Sequence, residues 1–223
     1  MAHNIAEKFL TDSAVKSFDQ THRNIININI DKYNLAFERG KSKFFNLDNS
    51  KKKAHILKWK VMENLDRYLL DFESNFTRRG GNVVWANDIK EAQLEIERII
   101  DLHRAKSIIK SKSMATEEID LNNFLEKKGL ETIESDLGEF IIQLLGQKPY
   151  HFVTPAMHLT LQDIAKLFNE KFDTPLDATA EQLTMTAREV LREKYKKADI
   201  GISGANFIIA DTGSIAITEN EGN

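Results

Sequence analysis

Between Asp199 and Thr218 the chain sets three short apolar runs, Asp199–Ser203, Phe207–Ala210 and Ser214–Thr218, among glycine, aspartate and asparagine. Runs this short and apolar, bounded by glycine and aspartate, read as buried strands of a sheet covered on both faces. Asp211-Thr212-Gly213 joins the last two as a turn, its glycine free to take positive φ. Ser203, Asn206, Asp211, Thr212 and Ser214 then collect at strand ends and turns, where open α/β sheets bind ligands.

Upstream, strands and helices alternate. Asn82–Ala86 reads as a strand, and Asn87-Asp88 caps a helix over 89–105. Ser107–Lys110 is a second strand, Thr116–Lys128 a helix closed by Gly129, and Leu130–Glu134 a third strand. Links of a few residues between such elements imply right-handed crossovers: an α/β three-layer sandwich with a mostly parallel sheet. Glu134–Leu144 fits a helix or a strand. His151–Thr154 reads as a strand, Thr160–Phe172 as a helix, and Thr179 with Gln182 as a capping box opening a helix over 180–196.

The first 80 residues differ in character. Ile5, Phe9, Val15 and Phe18 fall at helical spacing, so residues 1–45 read as a pair of helices or a partly ordered arm. The alternating Ile26–Ile30 segment is the one place where a strand competes. Residues 52–79 carry a stripe of Leu57, Met62, Leu65, Leu69, Phe72 and Phe76, predicting one amphipathic helix that stops at Arg78-Arg79-Gly80-Gly81. That Arg-Arg-Gly-Gly reads as a C-cap and turn, or as an anion-binding loop. The expected organisation is a helical N-terminal extension over 1–80 and an α/β domain over 81–223.

Composition narrows the function. A net charge of −3 gives no reason to expect nucleic acid or an anionic membrane as partner. No run reaches the ~18 apolar residues of a membrane span, and the N-terminus lacks the basic and apolar regions of a signal peptide, so the expected compartment is the cytoplasm. The chain has no cysteine. It can form no disulfide, thiolate nucleophile or cysteine-ligated iron–sulfur cluster.

Three clusters carry candidate chemistry. Lys110-Ser111-Lys112-Ser113-Met114 runs from a strand end into a helix start. Backbone N–H groups, the positive helix end and two lysines there can hold a phosphate or carboxylate; the alternative is a solvated loop with Ser113 or Thr116 as N-cap. The glycine pattern of a phosphate-binding Walker loop is missing. Glu134, Asp136 and Glu139 form an acidic group suited to acid/base work or a metal, or to a helix cap. His151 and His158 flank Pro155; His158 reads as a cleft residue, His151 as buried and structural, and His103 as packed on its helix. The candidate ligand-binding set is Lys110, Lys112, Ser113, Asp136, Glu139, His158, Asn206, Asp211, Thr212 and Ser214. Spacing alone supports no catalytic assignment and no metal site.

Several blocks also carry a family resemblance. Gly201–Ile215 followed by N-E-G-N, K-S-K-S-M-A-T-E-E-I at Lys110–Ile119, E-S-D-L-G-E-F-I-I-Q-L at Glu134–Leu144, and the Pro149…His151…Pro155-Ala156…His158 segment resemble the lactate-utilisation (LUD) domain. These blocks span roughly residues 82–223 in the family's order. The resemblance implies a sugar-phosphate isomerase and CoA-transferase type of topology (NagB/RpiA/CoA-transferase-like). It also implies a part in a bacterial complex oxidising L-lactate to pyruvate, with other lactate-utilisation subunits as partners. Relatives of this type carry 4Fe–4S clusters on C-terminal cysteines. The expectation is therefore that this chain is the cluster-free binding or scaffold part of a longer protein, with no cofactor of its own. Two rival readings are an enzyme or binder of a phosphorylated, CoA-like or nucleotide-like small molecule, and a purely structural docking domain.

Overall fold

The structure, a computed structural model, describes residues 2–218, with side chains from Asn4 onward. The N-E-G-N block lies outside the described residues. Four helices come first: α1 (Ala2–Phe18), α2 (Gln20–Lys41), α3 (Leu47–Met62) and α4 (Leu65–Arg78). Residues 2–41 are helical apart from the break at Asp19, and the Ile-Asn alternation lies inside α2. Asp19 starts α2 by accepting from the backbone N–H of His22 at 2.9 Å, a capping bond that also holds its carboxyl below the usual range.

The single helix expected over 52–79 is two. The chain breaks at Glu63-Asn64, where the Asn64 side chain donates to the Lys60 carbonyl at 3.1 Å and Asn64 leaves helical φ/ψ at −136°, 35°. An asparagine offering the backbone a local hydrogen bond in place of the helical ladder is the cause. α4 does end before the glycine pair, with Gly80 at φ +90°.

The α/β part begins with α5 (Ile89–Leu102), whose N-cap Asp88 accepts from Glu91 N–H. The strand expected at 82–86 does not form. Nothing among the described residues pairs with it, and Trp85 is held by its side chain instead, donating to Glu73 at 3.1 Å. The next elements are β1 (Ser107–Lys110), α6 (Met114–Glu118), α7 (Leu121–Glu126), β2 (Glu131–Glu134) and α8 (Leu137–Leu144). The helix expected over 116–128 is split at Asp120, which takes positive φ (50°). The ambiguous 134–144 segment is helical from Leu137. After α9 (Leu161–Phe172) and α10 (Ala180–Lys197) come β3 (Ile200–Ile202), β4 (Phe207–Ile209) and β5 (Ser214–Ala216). Both α9 and α10 open on full capping boxes, Thr160/Asp163 and Thr179/Gln182.

His151–Thr154 is a second strand that does not form. The His151 imidazole Nδ1 accepts from the N–H of Val153 at 3.1 Å and of Thr154 at 3.4 Å. The segment thus closes on itself as bends, leaving His151 half-buried in a structural turn. His103, expected on a packed stripe, is instead the exposed C-cap of α5.

β1, β2 and β3 form a parallel sheet in the order β2-β1-β3. β1 pairs Ser107–Lys110 with Glu131–Glu134 on one side and Ile108–Lys110 with Ile200–Ile202 on the other. This is an α/β arrangement: mostly helical, with a small parallel sheet. One apolar cluster joins Ile100 of α5, Ile108 of β1 and Leu121 and Leu125 of α7. Another joins α8, α9 and α10 around Phe140, Phe168, Leu183 and Leu191, with Ile133 of β2 packed on it.

The expectation for β4 and β5 needs the largest correction. They pair antiparallel as a separate hairpin, Phe207 opposite Ala216, rather than extending the sheet. Nor are they buried: Phe207 is 64% exposed and Ile215 47%. Apolar strands are buried only when a second layer covers them, and no such layer is present among the described residues. The hairpin docks on α4. Asn75 Nδ2 donates to the Ala210 carbonyl at 2.8 Å, and Arg79 Nε to that of Thr212 at 2.7 Å. Arg79, read as part of a possible anion loop, thus fastens this turn. Gly213, at φ +60°, passes so close to α4 that a β-carbon there would sit 2.4 Å from Asn75 C and Phe76 N.

Candidate functional site

Parallel strands end on one edge, and the order β2-β1-β3 reverses direction at β1, so the crevice outside these carboxyl ends is where a ligand site is expected. That edge is unusually polar for a buried region. Lys110, Ser111, Ser113, Glu134, Ser135, Asp136 and Glu139 are all buried there, whereas buried lysine and glutamate occur almost only as partners. Across the reversal, Ser111 Oγ donates to Ser203 Oγ at 2.9 Å and Ser111 N–H to the Ile202 carbonyl at 2.9 Å.

Lys110, the last residue of β1, is fully buried. Register places it beside Glu134, the last residue of β2, and its Nζ lies 2.7 Å from Glu134 Oε1. The same ammonium reaches Glu117 Oε1 at 3.2 Å and donates to Thr116 Oγ1 at 3.1 Å. Asn122 Nδ2 adds a bond to Glu134 Oε1 at 2.5 Å. Three protein partners therefore occupy the ammonium, and the cation expected to receive a ligand anion is neutralised from within. Glu134 Oε2 and Asn122 Oδ1 are buried without a hydrogen-bond partner.

Lys112 and Glu139 form a second pair. Lys112 Nζ donates to the Val153 carbonyl at 2.9 Å and stands 3.9 Å from Glu139 Oε1. Asp136 caps α8, accepting from Glu139 N–H at 3.2 Å. Burial, reinforced by the nearby Glu134 carboxylate and only partly offset by Lys112, pushes the Glu139 carboxyl up to about 7. A carboxyl that exchanges its proton near neutrality, beside an ammonium, can serve as an acid or a base. Ser113 is buried as the N-cap residue of α6, without a side-chain capping bond.

A cleft of about 650 Å³ opens outside this edge. Glu117, Asp120, Glu126, Glu134 and Glu139 line it against Lys148. Its far wall is the 147–152 segment, where Tyr150 stacks on His158 with ring centroids 5.0 Å apart. His158 accepts from or donates to Gln147 Oε1 at 3.1 Å. Burial first, then the nearby His22 and Lys16, lower its affinity for a proton. The leader is pinned here: His22 bonds the Tyr150 hydroxyl at 3.0 Å, and Asn29 donates to the Met157 carbonyl at 2.8 Å.

Of the sequence candidates, Lys110, Lys112, Ser113, Asp136 and Glu139 meet at the strand ends, and His158 stands behind the far wall. Asn206, Asp211, Thr212 and Ser214 lie on the β4–β5 hairpin. There Asn206 Oδ1 accepts from Thr218 N–H at 2.8 Å, and the Asp211 and Thr212 carbonyls face α4. Sequence reasoning missed Glu117 and Asn122, since nothing in a helical spacing shows which residue will meet a buried lysine. No group of His, Cys, Asp and Glu among the described residues can hold a metal ion. With no cysteine in the chain, its residues do not fit a 4Fe–4S cluster.

A family model described as the LUD domain matches residues 69–223. The chain belongs to the LUD-domain family. Among curated relatives, the lactate utilization protein B of Bacillus subtilis (strain 168) is 48% identical over 164 residues, covering 73% of this chain and 34% of that protein. Lactate utilization protein B of Bacillus velezensis is 43% identical over 179 residues, 80% of this chain and 38% of that protein. That of Oceanobacillus iheyensis is 45% identical over 163 residues, 73% and 34%. The LUD chain thus spans about a third of the length of the relatives it matches. No solved structure matches it. No helix of the described residues is long and apolar enough to cross a membrane.

Proposed function

We propose that this LUD chain is the binding and scaffold part of a lactate-utilisation component, working in an assembly that oxidises L-lactate to pyruvate. Two electrons and two protons leave the substrate in that reaction. In this reading they pass to 4Fe–4S clusters on cysteines outside these 223 residues, and the other lactate-utilisation subunits are the partners. The sheet with its helices over 81–223 would be the core of a three-layer, sugar-phosphate isomerase and CoA-transferase type domain. Residues 1–80 would be a docking extension.

The carrying observation is surface. The chain exposes 16293 Å², whereas a compact monomer of 25.5 kDa exposes roughly 10000 Å². Large apolar side chains stand uncovered on the leader: Phe9, Phe18, Phe45, Leu57 and Trp59 are all more than half exposed, and α2 and α3 bury no residue. Patches of this extent mark protein contacts. The test is reconstitution with purified lactate-utilisation subunits, using the chain and a Phe9→Asp/Phe18→Asp/Leu57→Asp variant. Binding lost in the variant and kept in Glu139→Gln supports docking through the leader. Equal binding by all three overturns it.

A small-molecule reading has its own support in the strand-end cleft. Glu139, protonating near neutrality beside Lys112, is placed for acid/base work on a ligand held there. Its five carboxylates against one lysine disfavour a simple carboxylate such as lactate at that spot.

A further inference from the structure

β2 ends between two clefts. Successive strand residues point to opposite faces, and Glu134 lines the acidic cleft while its neighbour Ser135 lines another, of about 680 Å³, between α8 and α10. This second cleft has the opposite character. Leu137, Ala187 and Leu191 supply an apolar floor, Arg188, Arg192 and Tyr195 its rim, and no carboxylate lines it. Thr184, Arg188 and Arg192 follow at four-residue steps with Tyr195 three further on, so all stand on one stripe of α10. Arg188 and Arg192 have no hydrogen bond or ion pair with the other described residues. Three other cations near the sheet are paired: Lys194 with Glu131, Lys196 with Glu193 and Lys128 with Glu97.

We propose that the α8–α10 cleft is a binding site for an amphipathic organic anion, its carboxylate or phosphate held by Arg188 and Arg192 and its apolar body lying on Leu137, Ala187 and Leu191. The volume falls within the ~300–1000 Å³ of small-molecule sites and far exceeds what a three-carbon acid fills. Guanidinium groups bind carboxylate and phosphate through paired N–H donors. Two of them, one helical turn apart and unpaired, leave an anion as the missing partner. Tyr195 offers a ring face to an unsaturated body. The site lies outside the carboxyl end of β2, on the ligand-binding edge of the sheet, and does not depend on the lactate reading.

The test is calorimetric titration of the full chain with octanoate, octyl phosphate and octylammonium below their micelle concentrations. Octanoate or octyl phosphate binds and octylammonium does not; the stronger of the two anions identifies the head group. Arg188→Ala/Arg192→Ala weakens anion binding at least tenfold with an unchanged circular dichroism spectrum, because both side chains are exposed. Thr184→Trp, which fills the rim, blocks binding without altering charge. Equal binding of octylammonium, anion binding that survives the double variant, or no binding of either anion overturns the proposal.

Discussion

Replacing Lys110 with methionine tests whether the ion pair at the strand ends is as dry as its geometry indicates. The substitution keeps the length and apolar stem of the side chain and deletes only the ammonium. That leaves Glu134, 2% exposed, with Asn122 as its single donor where Lys110 Nζ had stood at 2.7 Å. Removing one partner of a buried pair costs roughly 3–5 kcal/mol because the other charge stays uncompensated. At roughly 2–4 °C per kcal/mol for a chain of this size, the melting temperature falls by roughly 6–20 °C. Replacing both partners, Lys110→Met/Glu134→Gln, removes the stranded charge and keeps an acceptor for Asn122, so the double variant recovers at least half the loss. Urea unfolding at pH 7 of wild type, both single variants and the double gives the coupling directly. A single-variant cost below about 1 kcal/mol, or a double variant no better than Lys110→Met, would mean that water reaches the pair and would refute the reasoning.

Other expectations follow from the same geometry. Glu139 binds its proton more tightly folded (about 7) than unfolded (the ordinary 4.5), so its contribution is fully present below 4.5, fades as pH rises to 7, and amounts to roughly 3 kcal/mol. Glu139→Gln should flatten that decline, and melting temperature against pH for the two proteins reads it; parallel profiles would contradict the burial. Gly213→Ala forces a β-carbon to 2.4 Å from α4 backbone atoms at a positive φ. It should release the hairpin, seen as faster amide exchange over 207–216 with the β1–β3 sheet still protected. Thr179→Ala removes one half of the α10 capping box and should cost about 1 kcal/mol in urea unfolding.

Local signals carried most of the fold. The capping box at Thr179, the β-branched run at Ser107–Lys110 and the glycine after α4 are each decided within a few residues, and each stands where the sequence puts it. The strands that failed needed long-range partners, whereas the helices over 52–79 and 116–128 broke locally, at Asn64 and Asp120. Asn82–Ala86 and His151–Thr154 have strand-like composition, but a strand exists only by pairing, and neither finds a neighbour among the described residues. The β4–β5 hairpin was legible as two strands and a glycine turn. Its burial was not, because burial depends on what is packed above it.

The site shows the same division, and it bears on what the chain can bind. Lysines at a strand-to-helix junction do read as an anion site from sequence, since nothing local reveals that register will set Glu134 against Lys110. Once that pair forms, the strand-end edge becomes net acidic, and two arginines without a protein partner among the described residues, Arg188 and Arg192, stand some 80 residues downstream on α10. Charge is thereby sorted to two sides of one strand: Glu134 faces a cleft of carboxylates where a proton can be held at Glu139, and Ser135 faces an apolar cleft rimmed by arginine. An anionic ligand entering the first meets five carboxylates against Lys148, with the Lys110 ammonium already held by three partners. Entering the second, it meets two guanidinium groups that have no partner to give up.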